Sequence, residues 1–90
     1  MAYTILLKQS AEQELEKLPS AIHDRIVSRL LLLQEEPLPR GVKKLQGREG
    51  YRLRVGDYRI LYIFNKPEQI VEIFSVSHRN EAYGKKRRGR

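Results

Sequence analysis

Val55-Gly56-Asp57-Tyr58 sits between two alternating runs, and it limits the folds open to this chain more than any other stretch. Tyr51, Leu53 and Val55 alternate with Arg52 and Arg54, while Tyr58, Ile60, Tyr62 and Phe64 alternate with Arg59, Leu61 and Ile63. Alternation of this kind marks strands with one covered face. Glycine at the first central position of so short a loop predicts a hairpin closed by a type II′ turn. The loop then sets the register, because residues equally far from the turn pair up. Val55 opposes Tyr58, Arg54 opposes Arg59, Leu53 opposes Ile60 and Arg52 opposes Leu61. Opposed residues share a face. One face therefore holds Tyr51, Leu53, Val55, Tyr58, Ile60 and Tyr62, and the other gathers Arg52, Arg54 and Arg59.

The flanking segments supply the layer that covers the apolar face. Tyr3 to Lys8 (YTILLK) is a β-prone apolar run and reads as a first strand. Ser10 follows as a helix N-cap, with Gln13 at the capping-box position. Ala11, Leu15 and Leu18 recur at helical spacing until Pro19, before which the α conformation is disfavoured. Ser20 is a second N-cap candidate. Ile22, Ile26, Leu30 and Leu33 form one helical stripe that Pro37 and Pro39 stop. So short a connection makes the two helices an antiparallel hairpin. Asn65–Glu68 is a turn, and Gln69 to Val76 (QIVEIFSV) is apolar almost throughout, as a strand covered on both faces would be. The order β-α-α-β-β-β predicts an α+β domain, a mainly antiparallel four-stranded sheet with a helical hairpin packed on one face. Residues 1–83 form the expected domain, and 84–90 a basic, disordered tail.

Charge is distributed unevenly. The chain of 90 residues carries a net +7. Residues 1–37 hold four Lys/Arg against six acids, and residues 38–90 hold fourteen against five. Such asymmetry points to a polyanionic partner, nucleic acid or an acidic protein. The absence of cysteine excludes disulfides and thiolate chemistry and fits a reducing compartment. No apolar run reaches the ~20 residues of a membrane span. The start is too promptly polar for a signal peptide. A soluble cytoplasmic domain without a membrane partner is expected.

Arginines opposed across a ladder repel by on the order of 0.2–1 kcal/mol. One reading lets both side chains splay into water. The other gives them a phosphate, whose oxygens guanidinium groups match in bidentate geometry. Leu61 and Ile63 on the same face would floor such a site, making it concave. Lys43, Lys44 and Arg48, with Lys85, Lys86, Arg87 and Arg88 of the tail, are candidate grips on RNA backbone, where contacts bind without reading sequence. Two histidines and no carboxylates at ligand spacing suggest neither a metal site nor a cofactor.

The motif Lys43-Lys44-Leu45-Gln46-Gly47, then YRLRVGDYRILY, then an apolar strand and SHRNEAY, resembles the RelE toxins of toxin–antitoxin modules over nearly the whole chain. The resemblance implies a metal-independent endoribonuclease that enters the A site of the 70S ribosome and cuts mRNA there by attack of a ribose 2′-hydroxyl. It places the family's paired basic residues at Arg52 and Arg54, its return-strand arginine at Arg59, and its C-terminal arginine and tyrosine at Arg79 and Tyr83. It also implies a cognate RelB-like antitoxin, acidic and partly disordered, and contact with operator DNA only as a toxin–antitoxin complex. Where relatives carry a lysine pair, this chain has arginine, a poor proton acceptor at neutral pH. His78 is therefore a candidate base, and a solvated or helix-capping histidine is its other reading. Two further functions fit the same outline: a ParE-like inhibitor of DNA gyrase, and a non-catalytic nucleic-acid-binding module.

Overall fold

The computed structural model describes residues 2–78. Its elements are β1 (Thr4–Leu7), α1 (Gln9–Glu16), α2 (Ser20–Glu35), β2 (Lys43–Lys44), β3 (Tyr51–Val55), β4 (Tyr58–Asn65) and β5 (Ile70–His78). The α+β architecture with both helices packed against one sheet is as expected. The sheet has five strands in the order β1-β5-β4-β3-β2. The additional strand is β2, where Lys43 pairs with Arg52 and Lys44 with Tyr51. Two residues are too few to show a period, so only the pairing reveals it. The sheet is antiparallel except at β1, which lies parallel to β5 through Thr4–Ile70 to Leu7–Ile73. The helices and the β2–β4 meander between them form the crossover that a parallel pair requires.

The hairpin register matches the one that the turn dictates, from Val55–Tyr58 through Arg54–Arg59 to Tyr51–Tyr62. Gly56 adopts φ +60, and Asp57 is not among the positive-φ residues, which is the signature of a type II′ turn. Leu53, Val55, Ile60 and Tyr62 are buried beneath the helices. They join Ala11 and Leu15 of α1, Ile26, Leu30 and Leu33 of α2, and Val71, Ile73 and Val76 of β5 in one core.

β5 departs from the expectation of a strand covered on both faces. It lies between β1 and β4, with Val71, Ile73 and Val76 buried against the helices and Ile70, Glu72 and Phe74 half-buried on the opposite, helix-free face. Its continuous apolar character comes from an irregularity in the ladder. Leu61 pairs with Ser75 and Tyr62 with Ile73, so Phe74 has no partner on β4. A bulge of this kind inserts one residue and shifts the side-chain phase. Val76 thereby returns to the core while Phe74 and Ser75 both lie on the helix-free side.

Neither serine caps its helix. α1 begins at Gln9, with Lys8 as N-cap two residues before Ser10, and α2 begins at Ser20, with Pro19 as N-cap; neither N-cap makes a side-chain bond. Tertiary pairing decides the first boundary. The Lys8 amide donates to the Ile73 carbonyl at 2.9 Å, extending the β1–β5 ladder, and the Lys8 carbonyl accepts from Glu12 at 2.9 Å. The chain thus enters the helix straight from the strand, leaving no extended residue for Ser10 to occupy. α1 then finishes what β1 leaves undone. β1 ends opposite Ile73, and the Val76 amide further along that edge donates to Glu14 Oε1 at 2.9 Å.

At the far end of the sheet, Tyr51, Tyr62 and Phe64 pack ring against ring at 5.5–5.9 Å between centroids, and Tyr3 meets Phe64 edge-on at 6.2 Å. The buried Tyr62 hydroxyl donates to the Pro37 carbonyl at 2.5 Å. Burial, with smaller contributions from Tyr51 and Glu36, holds the Tyr62 phenol above its ordinary pKa. This bond ties the segment that follows α2 to the sheet.

Candidate functional site

With the helices occupying one face, the other is left to the polar strand positions, and the register arranges these in rows. The row nearest the hairpin turn is Arg54, Arg59 and Ser77, and the next is Lys43, Arg52, Leu61 and Ser75. Successive rows lie about 7 Å apart, two residues along a strand. Four cations therefore lie on adjacent strands within two rows, flanked by two hydroxyls that the sequence reading had not singled out. Ser75 and Ser77 carried no signal of their own, since only the β4–β5 register puts them beside the arginines.

Arg54 is exposed, whereas Arg52 and Arg59 are half-buried. The Arg54 Nε–H donates to the Gly56 carbonyl at 3.2 Å, which fixes the side chain over its own turn. From the helix side, Arg25 of α2 approaches the same turn. A Cβ built on Gly56 would lie 3.6 Å from its Nη1. The hairpin tip thus has an arginine lying close on each side, Arg54 hydrogen-bonded to it and Arg25 near Gly56. Arg25 could not have been found from its own segment, because it falls on the exposed side of a helix whose docking angle the sequence leaves open.

The structure brings together only some of the other candidates. Lys43 pairs with Arg52 and shares its face, but Lys44 pairs with Tyr51 and points the other way. His78 pairs with Tyr58, not with an arginine, and their rings meet edge-on at 5.1 Å and 88°. Ser77 takes the arginine face, so strand alternation turns His78 to the face of Val55 and Tyr58. As a proton acceptor for chemistry at Arg54 and Arg59 it is on the wrong side of the sheet. Arg79, Tyr83, Lys85, Lys86, Arg87 and Arg88, and with them the expected tail, lie outside the described residues.

Arg48 reaches the helix-free face from the β2–β3 loop. Its Cζ lies over the Phe74 ring, 4.5 Å from the centroid. The loop is closed by the Leu45 amide on the Gly50 carbonyl at 2.9 Å. Gly50 adopts φ +135, and a Cβ there would stand 3.0 Å from Leu45 Cδ1 and 3.2 Å from the Tyr62 carbonyl, so no other residue fits without displacing the loop.

Leu61 lies in the row of Arg52, as the register predicts, while Ile63 falls further along the same face. Ile63 lines a separate hollow of about 310 Å³ with Leu6, Ile70, Glu49, Glu68 and Glu72. A second lies between β1 and the helices, lined by Leu7, Leu15, Leu30 and Leu31, and a third beside Tyr3 and Pro37. None of the three is lined by Arg52, Arg54 or Arg59. Among the described residues, the arginine rows form a platform with Arg54 exposed and Arg52 and Arg59 half-buried, and the helix-free face grades from basic near the turn to acidic and apolar beyond Phe74.

Comparisons with known proteins identify the fold and the family. The family model described as the ParE toxin of the type II toxin–antitoxin system parDE matches residues 5–83. Among solved structures, the archaeal RelE–RelB complex from Pyrococcus horikoshii contains a chain 32% identical, with TM-score 0.79 over 88% of this chain and 97% of that one. The toxin–antitoxin complex RelBE2 from Mycobacterium tuberculosis contains one 34% identical, with TM-score 0.76 over 87% of this chain and 99% of that one. The isolated RelE toxin of E. coli is 25% identical, with TM-score 0.76 over 97% of both chains. On sequence and fold together, this chain belongs to the RelE/ParE family of toxins from type II toxin–antitoxin systems.

Proposed function

We propose that this toxin is an endoribonuclease that cuts mRNA in the ribosomal A site, without a metal, by internal transfer to a 2′-hydroxyl. The observation that carries the reading is the placement of Arg54 against Arg59 with Arg52 and Lys43 in the adjacent row. A like-charged cluster on a sheet surface is costly by itself and becomes favourable around a phosphate. In the reaction the 2′-oxygen bonds to the neighbouring phosphorus and the bond from phosphorus to the 5′-oxygen breaks. The products are a 2′,3′-cyclic phosphate and a 5′-hydroxyl. The 2′-hydroxyl gives its proton to solvent water, and the departing 5′-oxygen gains one from a donor that solvent reprotonates. Charge accumulates on the phosphorane oxygens between these events, and fixed guanidinium groups stabilise it.

Within this proposal Arg54 and Arg59 grip the scissile phosphate, and Arg52 with Lys43 holds the next along the backbone. Arg79 and Tyr83 take the roles that the family resemblance implies, Arg79 protonating the leaving oxygen and Tyr83 orienting the substrate. His78 is not assigned the base, because its register turns it away. Solved complexes of similar toxins with RelB support a cognate antitoxin, and charge complementarity would place an acidic one over the basic platform. Contact with operator DNA is proposed only for that complex, as the family resemblance implies.

The match to a ParE model favours a second reading, inhibition of DNA gyrase without RNA cleavage. One experiment separates the two. The purified chain is added to ribosomes programmed with a defined A-site codon, and RNA ends are mapped by primer extension beside a gyrase supercoiling assay. Codon-aligned cuts that disappear in Arg79→Ala are expected. Intact message together with blocked supercoiling would replace the first reading by the second.

A further inference from the structure

Arg48 and Phe74 are not explained by a phosphate clamp alone. Phe74 is the residue that the β4–β5 irregularity leaves without a partner, adjacent to Ser75 in the row of Leu61, Arg52 and Lys43. A half-buried phenylalanine on the helix-free face is covered there by one exposed guanidinium, 4.5 Å from its centroid. Among the described residues, no carboxylate forms an ion pair with Arg48, although Glu49 is next to it in sequence. The loop that delivers it is tightly built, with Gly47 at φ +79 and Gly50 at φ +135 where a Cβ does not fit.

We propose that Arg48, held over Phe74, is a stacking platform for one nucleobase of the bound RNA strand. This rests on the phosphate-clamp reading of the arginine rows and adds what that reading lacks, a contact with the base. A guanidinium has two faces. Phe74 lies within cation–π reach on one side, 4.5 Å from the centroid, and Arg48 is otherwise exposed, which leaves the guanidinium open to a second stacking partner. Bases splayed out of a single strand stack on arginine planes as they do on aromatic rings. Stacking is tolerant of sequence, and a purine offers the larger π-face, so the subsite accepts any base and holds a purine more firmly.

Lysine in place of Arg48 preserves the charge but not the plane, and this separates stacking from electrostatics. The assay measures binding of the full chain to a short single-stranded RNA carrying 2-aminopurine, and to the same oligomer with an abasic site at that position. The ratio of the two affinities reads the base contact alone. In the wild type the ratio is about tenfold or more, accompanied by quenching of 2-aminopurine fluorescence. It collapses towards one in Arg48→Ala, Arg48→Lys and Phe74→Leu. Arg54→Ala weakens both oligomers and keeps the ratio, so failure of the clamp and failure of the platform are read separately. A ratio in Arg48→Lys equal to that of the wild type overturns the proposal, as does an equal loss of both oligomers in Arg48→Ala.

Discussion

Arg54 and Arg59 face each other across a two-stranded ladder, so a double-mutant cycle at this pair tests whether the platform is built for a ligand. Threonine is the natural replacement, being β-prone and uncharged. Removing either charge relieves a repulsion of on the order of 0.2–1 kcal/mol. Arg54→Thr also loses the Nε bond to the Gly56 carbonyl, an exposed interaction of about 0.5–1.5 kcal/mol. These oppose each other, so Arg54→Thr changes stability by less than ~1 kcal/mol, or under ~8 °C in Tm for a domain of this size. The cycle cancels every contact that belongs to one arginine alone. It isolates an unfavourable coupling of ~0.2–1 kcal/mol at low salt, which shrinks as ionic strength rises. With a phosphate-bearing oligonucleotide bound, the same coupling becomes favourable. The cost in rate is of another order. Removing one fixed donor from a developing oxyanion slows reactions about 10²–10³-fold. Urea denaturation of the four proteins, with and without oligonucleotide, supplies the numbers. A coupling that is zero or favourable in the free protein would refute the argument that these charges are held at a cost.

Other outcomes follow from register and hydrogen bonding. Lys43→Ala should lower RNA affinity and reduce the slope of log affinity against log salt by about one, whereas Lys44→Ala, on the opposite face, leaves the slope unchanged. Glu14→Ala strips the acceptor from the Val76 amide and should destabilise the fold by about 1–3 kcal/mol; Glu14→Gln, which retains a carbonyl oxygen, loses less, and amide exchange at Val76 tracks the difference. Tyr62 titrates above its unfolded value of about 10 because it is buried. Its contribution to stability is therefore complete below about pH 10 and is lost as pH rises through the folded pKa, at up to ~1.4 kcal/mol per pH unit. Tyr62→Phe removes that slope from a denaturation series between pH 9 and 11 while weakening the hold on Pro37.

The platform was legible in the sequence because its determinants are local. A glycine at one turn position fixed the register of Tyr51–Val55 against Tyr58–Tyr62, and the arginine face followed from counting. What remained hidden depends on pairings between distant segments. Ser10 and Ser20 have the chemistry of caps, yet the Lys8–Ile73 bond sets where the first helix begins. QIVEIFSV looks like a doubly covered strand because nothing in its composition announces the bulge at Phe74. The same bulge sets which of Phe74, Ser75, Ser77 and His78 join the arginines, and so His78 could be named as a base without its face being known. Arg48 was read as a backbone contact. Its aromatic neighbour lies 26 positions away and becomes visible only when the β2–β3 loop folds over β5.

The exposure of Arg54 bears on where the proposed reaction can run. Arg54 is exposed among the described residues, so a phosphate held there in the free protein keeps much of its contact with water. Two unit charges 4 Å apart attract by about 1 kcal/mol in bulk water and about 4 kcal/mol at the effective dielectric of a partly enclosed surface. Enclosure is therefore worth roughly 3 kcal/mol per guanidinium, or about two orders of magnitude in rate for each one that contacts the developing charge. A ribosomal A site that closes over the platform can supply this, besides holding the message in line for attack. Under the proposed function, free RNA of the same sequence should be cut at least 10²-fold more slowly than ribosome-bound message at equal toxin concentration. Raising ionic strength should slow the free reaction more steeply, because exposed charges are screened and enclosed ones are not. Single-turnover cleavage of one end-labelled message, free and ribosome-bound, measures both effects. Equal rates, with equal salt dependence, would mean that the isolated domain already encloses its substrate, and the site around the exposed Arg54 would then be the wrong one.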